Sequence, residues 1–196
     1  MRELAALVAL VFATSLFAQQ SPVDATAVAT TYRTIASLDL AGQKAMFATL
    51  APEMKGAIWR YQLATYDAAH PELTVEQHRV MADSIFLIAS GLYEDVYPDG
   101  RYALRAEIDA LAAATRAAFS APVAAALFGH LGIPEAGAPA PSPYSGAYTY
   151  DCTCNVSYDF CSFGTGSSYC TKFPRCNQSS WGCGWAFAQD CTGTCS

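Results

Sequence analysis

The chain has 196 residues, a charged fraction of 14% and a net charge of −6. Binding of nucleic acid requires a basic face that displaces counterions, so this composition argues against a nucleic-acid partner. All eight cysteines lie in the last 45 residues, and the preceding 151 residues contain none. We therefore expect two regions, the first held by a hydrophobic core and the second by cross-links or metal.

Residues 1–18 predict a secretory signal peptide. Arg2 precedes an apolar run over residues 4–18, and this run ends in the small residue Ala18. It is shorter than the roughly 20 residues that a membrane-spanning helix needs, which favours a cleaved signal over a retained membrane anchor. We expect a secreted protein, periplasmic or extracellular, in a compartment where disulfides are stable.

Residues 19–132, called the helical region below, predict an all-α bundle of five or six short helices around one modest core. Apolar residues recur at spacings of three and four, as in the row Val28, Tyr32, Ile35 and Leu38. Helix boundaries are expected at Pro52, Pro71, the Thr74–Gln77 capping-box spacing, Gly91 and Pro122.

Residues 133–149 predict an extended linker between the two regions. Four prolines fall within this stretch, at positions 134, 139, 141 and 143. Proline at this density favours an extended chain without internal hydrogen bonds. Because such a segment is exposed, it is the expected place for cleavage by a processing protease.

Residues 150–196, called the Cys-rich region below, predict a cross-linked, loop-rich or small β domain. The cysteines are Cys152, Cys154, Cys161, Cys170, Cys176, Cys183, Cys191 and Cys195. A bond between Cys152 and Cys154 would be strained, and the spacing does not choose among the remaining pairings. Short strands are expected over residues 156–160 and 185–188. Zinc is the alternative, but the region lacks histidine and has C-x-C and C-x₃-C pairs only, so no metal or other cofactor is predicted.

Aromatic residues are dense in the Cys-rich region, and Trp181, Trp185 and Phe187 are the candidate contacts with a target protein or a membrane interface. The alternative is that such rings stack over the disulfides as a small core. The Cys-rich region carries a net charge of −1 and the preceding residues 19–150 a net charge of −5. Opposite net charge is therefore not expected to hold the two regions together.

The sequence offers no catalytic constellation, and we predict that the protein is not an enzyme. Its histidines are His70, His78 and His130, and the first two are eight residues apart across a predicted helix break. That is not the spacing of a zinc peptidase. We expect His70 at a helix end and His78 on a solvated face.

The pattern of the Cys-rich region resembles the fulvocin C-type bacteriocins. The matching motifs are Cys152-Thr-Cys154, Cys170 with Cys176, Gly182-Cys183-Gly184-Trp185 and Cys191-Thr-Gly193-Thr-Cys195. The helical region is similar to the upstream part of longer fulvocin C-related proteins over residues 50–55, at Trp59 and over residues 70–77.

The resemblance implies an antibacterial Cys-rich region that acts on a bacterial cell envelope or a target-cell protein, with the helical region as its pro-domain or carrier. The alternative function is an exported, non-toxic binding protein whose Cys-rich region recognises a protein or an envelope component.

Overall fold

A computed structural model describes residues 23–94 and 103–132 of the helical region. In the Cys-rich region it describes residues 152, 154–157, 170–172 and 176–195, without the side chains of residues 180, 181 and 195. The predicted signal peptide (1–18) and the predicted linker (133–149) lie outside the described residues.

The described part of the helical region forms six helices, which confirms the predicted bundle. They are α1 (Ala25–Ala36), α2 (Leu40–Ala48), α3 (Pro52–Ala69), α4 (Val75–Ala89), α5 (Arg105–Ala118) and α6 (Ala121–Ala124). The last helix continues into a π-helical turn, Ala125–Gly129. Helix α4 packs between α3 and α5, and α1 packs against α2 and α3.

Local sequence signals place the helix ends. Pro52 lies in the first turn of α3, where its missing N–H leaves no intrahelical bond unmade. Thr74 and Gln77 form the predicted capping box: Gln77 N donates to Thr74 Oγ1 (3.2 Å) and Thr74 N donates to Gln77 Oε1 (2.9 Å). Asp24 and Asp39 are simple N-caps of α1 and α2, through side-chain oxygens that accept from Thr26 N and Gly42 N.

The core of the bundle is apolar and aromatic. Its most deeply buried members include Ile35, Phe47, Ile58, Trp59, Leu63, Met81, Leu92, Ile108 and Phe128. The predicted row on α1 is only partly buried. Leu38 is 37% exposed because α1 ends at Ala36, so the helical periodicity no longer directs this side chain inward.

Two buried glutamines of the bundle form hydrogen bonds with the backbone of the segment that follows α6. Gln62 Nε2 donates to Leu127 O and His130 O, both at 2.8 Å, and its Oε1 accepts from Gly132 N at 2.8 Å. Gln43 bonds to both backbone groups of Leu131 at 2.8 and 2.9 Å. Irregular backbone can be buried here because these amides satisfy its polar groups.

The described part of the Cys-rich region is a small β structure. Strands β1 (Cys170–Thr171) and β4 (Thr194–Cys195) pair antiparallel, and so do β2 (Ser179–Cys183) and β3 (Gln189–Cys191). The strand predicted over 185–188 is wrong. Residues Trp185–Phe187 form a 3₁₀ turn, with left-handed φ angles of 51° at Ala186 and 57° at Phe187. Of the strand predicted over 156–160, Val156 lies in a bend, and residues 158–160 lie outside the described part.

Among the described residues, three disulfides cross-link this region: Cys152–Cys176, Cys154–Cys170 and Cys183–Cys191. Their Cα atoms are 5.0, 5.8 and 5.1 Å apart, within the usual range for a disulfide. The predicted disulfide bonding is thereby confirmed for these six residues. Cys161 and the side chain of Cys195 lie outside the description. None of the described helices has the length and the apolar character that crossing a membrane requires.

Candidate functional site

The two regions share one hydrophobic core. The apolar contact is made by residues 183–191, called the docking loop below, whose ends are joined by the Cys183–Cys191 disulfide. Trp185 and Phe187 are 0% and 1% exposed, and residues 185–188 belong to the same buried cluster as the core of the helices. The Cys-rich region is therefore packed into the bundle through this loop.

The shape of the docking loop depends on its own residues. Gly184 has a φ of 64°, and a Cβ at this position would lie 2.1 Å from Gln189 Oε1. That oxygen accepts a hydrogen bond from Trp185 N at 2.8 Å across the loop. The left-handed Ala186 and Phe187 follow, each at a cost of about 1 kcal/mol or more for a non-glycine residue. The disulfide and the strand pair β2–β3 hold this conformation in place.

Aromatic side chains of the bundle receive the two rings of the loop. Trp185 stacks on Phe128, with ring centroids 5.7 Å apart and an interplanar angle of 17°. Phe187 meets Trp59 and Phe47 edge to face, at centroid distances of 5.3 and 5.4 Å. Pairs in these geometries each contribute about 0.5–1.5 kcal/mol beyond the burial of their apolar area.

Several polar groups around the rings are paired across the junction, whereas the indole Nε1 atoms of Trp59 and Trp185 are buried without a hydrogen-bond partner among the described residues. Tyr93 Oη donates to Ala186 O at 2.6 Å. Gln189 Nε2 donates to Asp109 Oδ1 on α5 at 2.8 Å. Since Tyr93 and Gln189 are both buried, each bond also removes the penalty that a lone buried donor would carry.

An ion pair closes the edge of the junction. Arg105 donates through Nη1 and Nη2 to the two carboxylate oxygens of Asp190, at 2.7 and 2.8 Å. Both side chains are partly shielded from solvent, and the fork geometry is the strong form of this interaction. Arg116 Nη1 adds a bond of 3.0 Å to Ser157 O. Both regions are net negative, and the electrostatic contacts between them are local: two arginines of the helical region lie opposite oxygen acceptors of the Cys-rich region.

Two titratable groups lie at or near the docking loop. Lys44 Nζ is 3.2 Å from Cys183 Sγ and 5.7 Å from the centroid of the Phe187 ring. Desolvation lowers the pKa of Lys44 from 10.5 to about 7. Burial, and secondarily the charge of Lys44, lowers the pKa of His130 from 6.5 to about 3. The electrostatics of the junction therefore depend on pH.

The sequence-predicted contact residues have a different place in this structure. Trp185 and Phe187 were expected to meet a target or a membrane, and they are instead enclosed by the bundle. The reason is that the helical region supplies the apolar surface that a small disulfide scaffold lacks. The side chain of Trp181 lies outside the description. Of the two interpretations, the core role holds for Trp185 and Phe187, although the core is that of the helices.

The histidines make separate local contacts. His70 caps α3 as expected, stacks on Tyr66 and has Nδ1 2.7 Å from Glu72 Oε1. His78 is half-buried, with Nδ1 2.7 Å from Asp67 Oδ1, whereas a fully solvated face was expected. Within the described ranges, His, Cys, Asp and Glu form no group of three or more that could hold a metal ion.

A small cleft lies between the start of α3 and the end of α4, and it shares Tyr93 with the junction. Its volume is about 170 Å³, and it is lined by Val23, Pro52, Glu53, Gly56, Arg60, Ile88, Ala89, Gly91, Tyr93 and Glu94. Pockets for drug-sized ligands are usually several hundred Å³ in volume. The junction is therefore the better candidate for a functional surface.

Comparison with protein-family models, with curated proteins and with solved structures finds no match to this chain.

Proposed function

We propose that this chain is a secreted, bacteriocin-like protein whose helical region carries the Cys-rich region and covers its docking loop. The antibacterial part is the Cys-rich region, and its target is a bacterial cell envelope or a target-cell protein. The support from the sequence is the resemblance of the cysteine pattern to the fulvocin C-type bacteriocins. The disulfides are consistent with export.

The observation that carries the proposal is the complete burial of Trp185 and Phe187 against helices. A region of this size cannot enclose two such rings by itself. Once separated from the bundle, it would present them on a disulfide-closed loop. Exposed Trp and Phe suit contact with a membrane interface or a protein target. The helical region then acts as a pro-domain that keeps this surface covered until it is needed.

Growth inhibition by the two forms of the protein tests the proposal. The oxidised full-length protein is cleaved between residues 133 and 149, and the Cys-rich fragment is purified in acid with its disulfides intact. We expect the fragment to inhibit sensitive bacteria and the uncut protein to be inactive. Fragment treated with reductant and alkylated is the matched control. Lack of inhibition by the oxidised fragment over a broad panel of bacteria would overturn the proposal.

An exported binding protein is the second candidate, and the shared core favours it. In this case the Arg105–Asp190 pair and the buried rings make the Cys-rich region a permanent part of one fold. Mass spectrometry of the secreted product separates the two functions. An intact chain supports the binding protein, and a free fragment of residues from about 150 to 196 supports the precursor.

A further inference from the structure

We propose that the helical region is a receptor for the docking loop, so that the Cys-rich region stays bound to it after the linker is cut. This inference rests on the proposed function only in assuming that cleavage falls between residues 133 and 149. Cleavage would then produce a latent two-chain complex, and exposure of the loop would need a second step.

The position of the contacts along the chain is the first argument. The groups of the bundle that meet the docking loop lie between Lys44 and Phe128, and the loop itself spans residues 183–191. None of these groups belongs to the linker. A cut within residues 133–149 therefore leaves every described contact of the junction in place and lowers the effective concentration of one part near the other.

The second argument is what separation would expose. Phe47, Trp59 and Phe128 are fully or almost fully buried while the loop is in place. Departure of Phe187 and Trp185 would open the bundle at these rings and leave a cavity lined by aromatic groups. Tyr93 Oη and Asp109 Oδ1 would at the same time lose their partners on the loop. Separation of the loop from the helical region would therefore cost free energy in the same way as removal of core side chains from the bundle.

The third argument is preorganisation. The bonds that shape the docking loop are internal to the Cys-rich region: the Cys183–Cys191 disulfide, Trp185 N to Gln189 Oε1, and Asn155 Nδ2 to Asp190 O. The loop therefore keeps its form when the linker is cut. A ligand already held in its bound conformation loses little entropy on binding, which raises its affinity.

The experiment uses the full chain with the recognition sequence of a site-specific protease placed within residues 138–144. The oxidised protein is cut to completion and passed over a size-exclusion column in neutral buffer without denaturant. We expect both fragments to elute together at the volume of the uncut protein, and to separate only in denaturant. Elution of the wild-type fragments as two species would overturn the proposal.

Substitutions in the docking loop then test whether this loop is what holds the cut fragments together. Phe187→Ala is expected to weaken the association of the cut fragments roughly 30-fold or more, as for a central aromatic contact. Phe86→Ala is the matched control, because Phe86 is 74% exposed on α4 and should leave the association unchanged. Should uncut Phe187→Ala lack the wild-type circular dichroism, Asp190→Asn serves instead, with an expected loss of roughly 10-fold or more.

If the cut fragments of Phe187→Ala, or of Asp190→Asn where it is used instead, associate as tightly as those of wild type, the receptor proposal is also refuted. The fragments would then be held together by contacts outside the docking loop. The readout is association, not growth inhibition. A fragment that stays bound but kills no bacterium contradicts the proposed function alone. A fragment that kills but separates at once contradicts only the receptor.

Discussion

Arg105 on α5 and Asp190 on β3 are 85 residues apart in the chain and meet through two parallel hydrogen bonds. The pair joins a helix of the bundle to a strand of the disulfide-linked region, beside the two rings that the bundle encloses. Apolar packing supplies the area of this junction. The ion pair, together with Gln189–Asp109 and Tyr93–Ala186, sets its orientation.

Arg105→Lys tests the fork geometry. Lysine keeps the positive charge but cannot make two parallel bonds to one carboxylate. We expect a loss of about 1 kcal/mol in the free energy of unfolding, since both side chains are only partly buried. Urea denaturation measures it. In a double-mutant cycle with Asp190→Asn, the two losses should not add. Fully additive losses would show that the residues do not interact.

Phe187→Ala tests whether the docking loop is part of the core of the helices. Removal of a fully buried phenylalanine is expected to cost roughly 3–5 kcal/mol of stability. The loss of stability should appear when the unfolding of the helices is followed by far-ultraviolet circular dichroism, although the residue lies in the Cys-rich region. Phe86→Ala should change stability by about 0.5 kcal/mol or less. Equal, small effects would contradict a shared core.

Gln62→Leu tests the buried amide of α3. Leucine has a similar volume but leaves Leu127 O, His130 O and Gly132 N without the bonds that Gln62 makes. We expect a loss of about 3 kcal/mol, because buried polar groups of the backbone are left unsatisfied. Gln178→Leu, at an exposed position, is the control and should be close to neutral. A stabilised Gln62→Leu protein would contradict this role.

The lowered pKa of His130 predicts that the folded protein loses stability in acid. Its folded pKa is about 3 and its ordinary value is 6.5, so the unfolded chain binds the proton more tightly between these limits. Stability should therefore fall as the pH decreases from 6.5 towards 3, by several kcal/mol from this group, at about 1.4 kcal/mol for each pH unit in that window. His130→Asn removes the titration, and its unfolding free energy should depend less on pH in that window. An unchanged slope would refute the assignment.

The lowered pKa of Lys44 predicts that the stability of the fold also depends on pH between 7 and 10.5. Its pKa is lowered from 10.5 to about 7, so stability from the neutral amine is present above pH 10.5 and is lost as the pH falls towards 7. Lys44→Met keeps the length of the side chain without the charge. We expect the variant to be more stable than wild type by several kcal/mol at pH 7, at about 1.4 kcal/mol for each pH unit between 7 and 10.5, and equal to it above pH 10.5. A variant less stable at both values would show that Lys44 contributes through its bonds.

Much of the helical region follows from short-range signals. The proline at the start of α3, the capping box before α4 and the spacing of apolar residues each act within one or two turns, and the structure agrees with them. Leu38 shows the limit of periodicity, because the row continues past the end of α1. The amide contacts of Gln62 could not be predicted, since its partners are 65 or more residues away.

The sequence identified the two aromatic residues of the candidate site on the docking loop, but not the residues of the bundle that receive them. Trp185 and Phe187 stood out as aromatic residues that a disulfide scaffold cannot bury, which is correct for an isolated scaffold. Their receptors, Phe47, Trp59 and Phe128, looked like ordinary core residues. One signal was available: an apolar run, residues 185–188, lies between two cysteines eight residues apart and follows a glycine. Once these two cysteines are paired, as the structure shows, the closed loop favours a turn over a strand, and its apolar tip requires a partner.

The Cys183–Cys191 bond also links the redox state of the compartment to the folding of the helices. Without this bond the loop has no covalent closure, and the aromatic centre of the bundle lacks two of its rings. We expect the newly made chain to remain incompletely folded in a reducing cytoplasm, where the bond does not form. For the export proposed above, a channel that accepts unfolded chains would then receive a suitable substrate, and maturation would follow in the oxidising compartment.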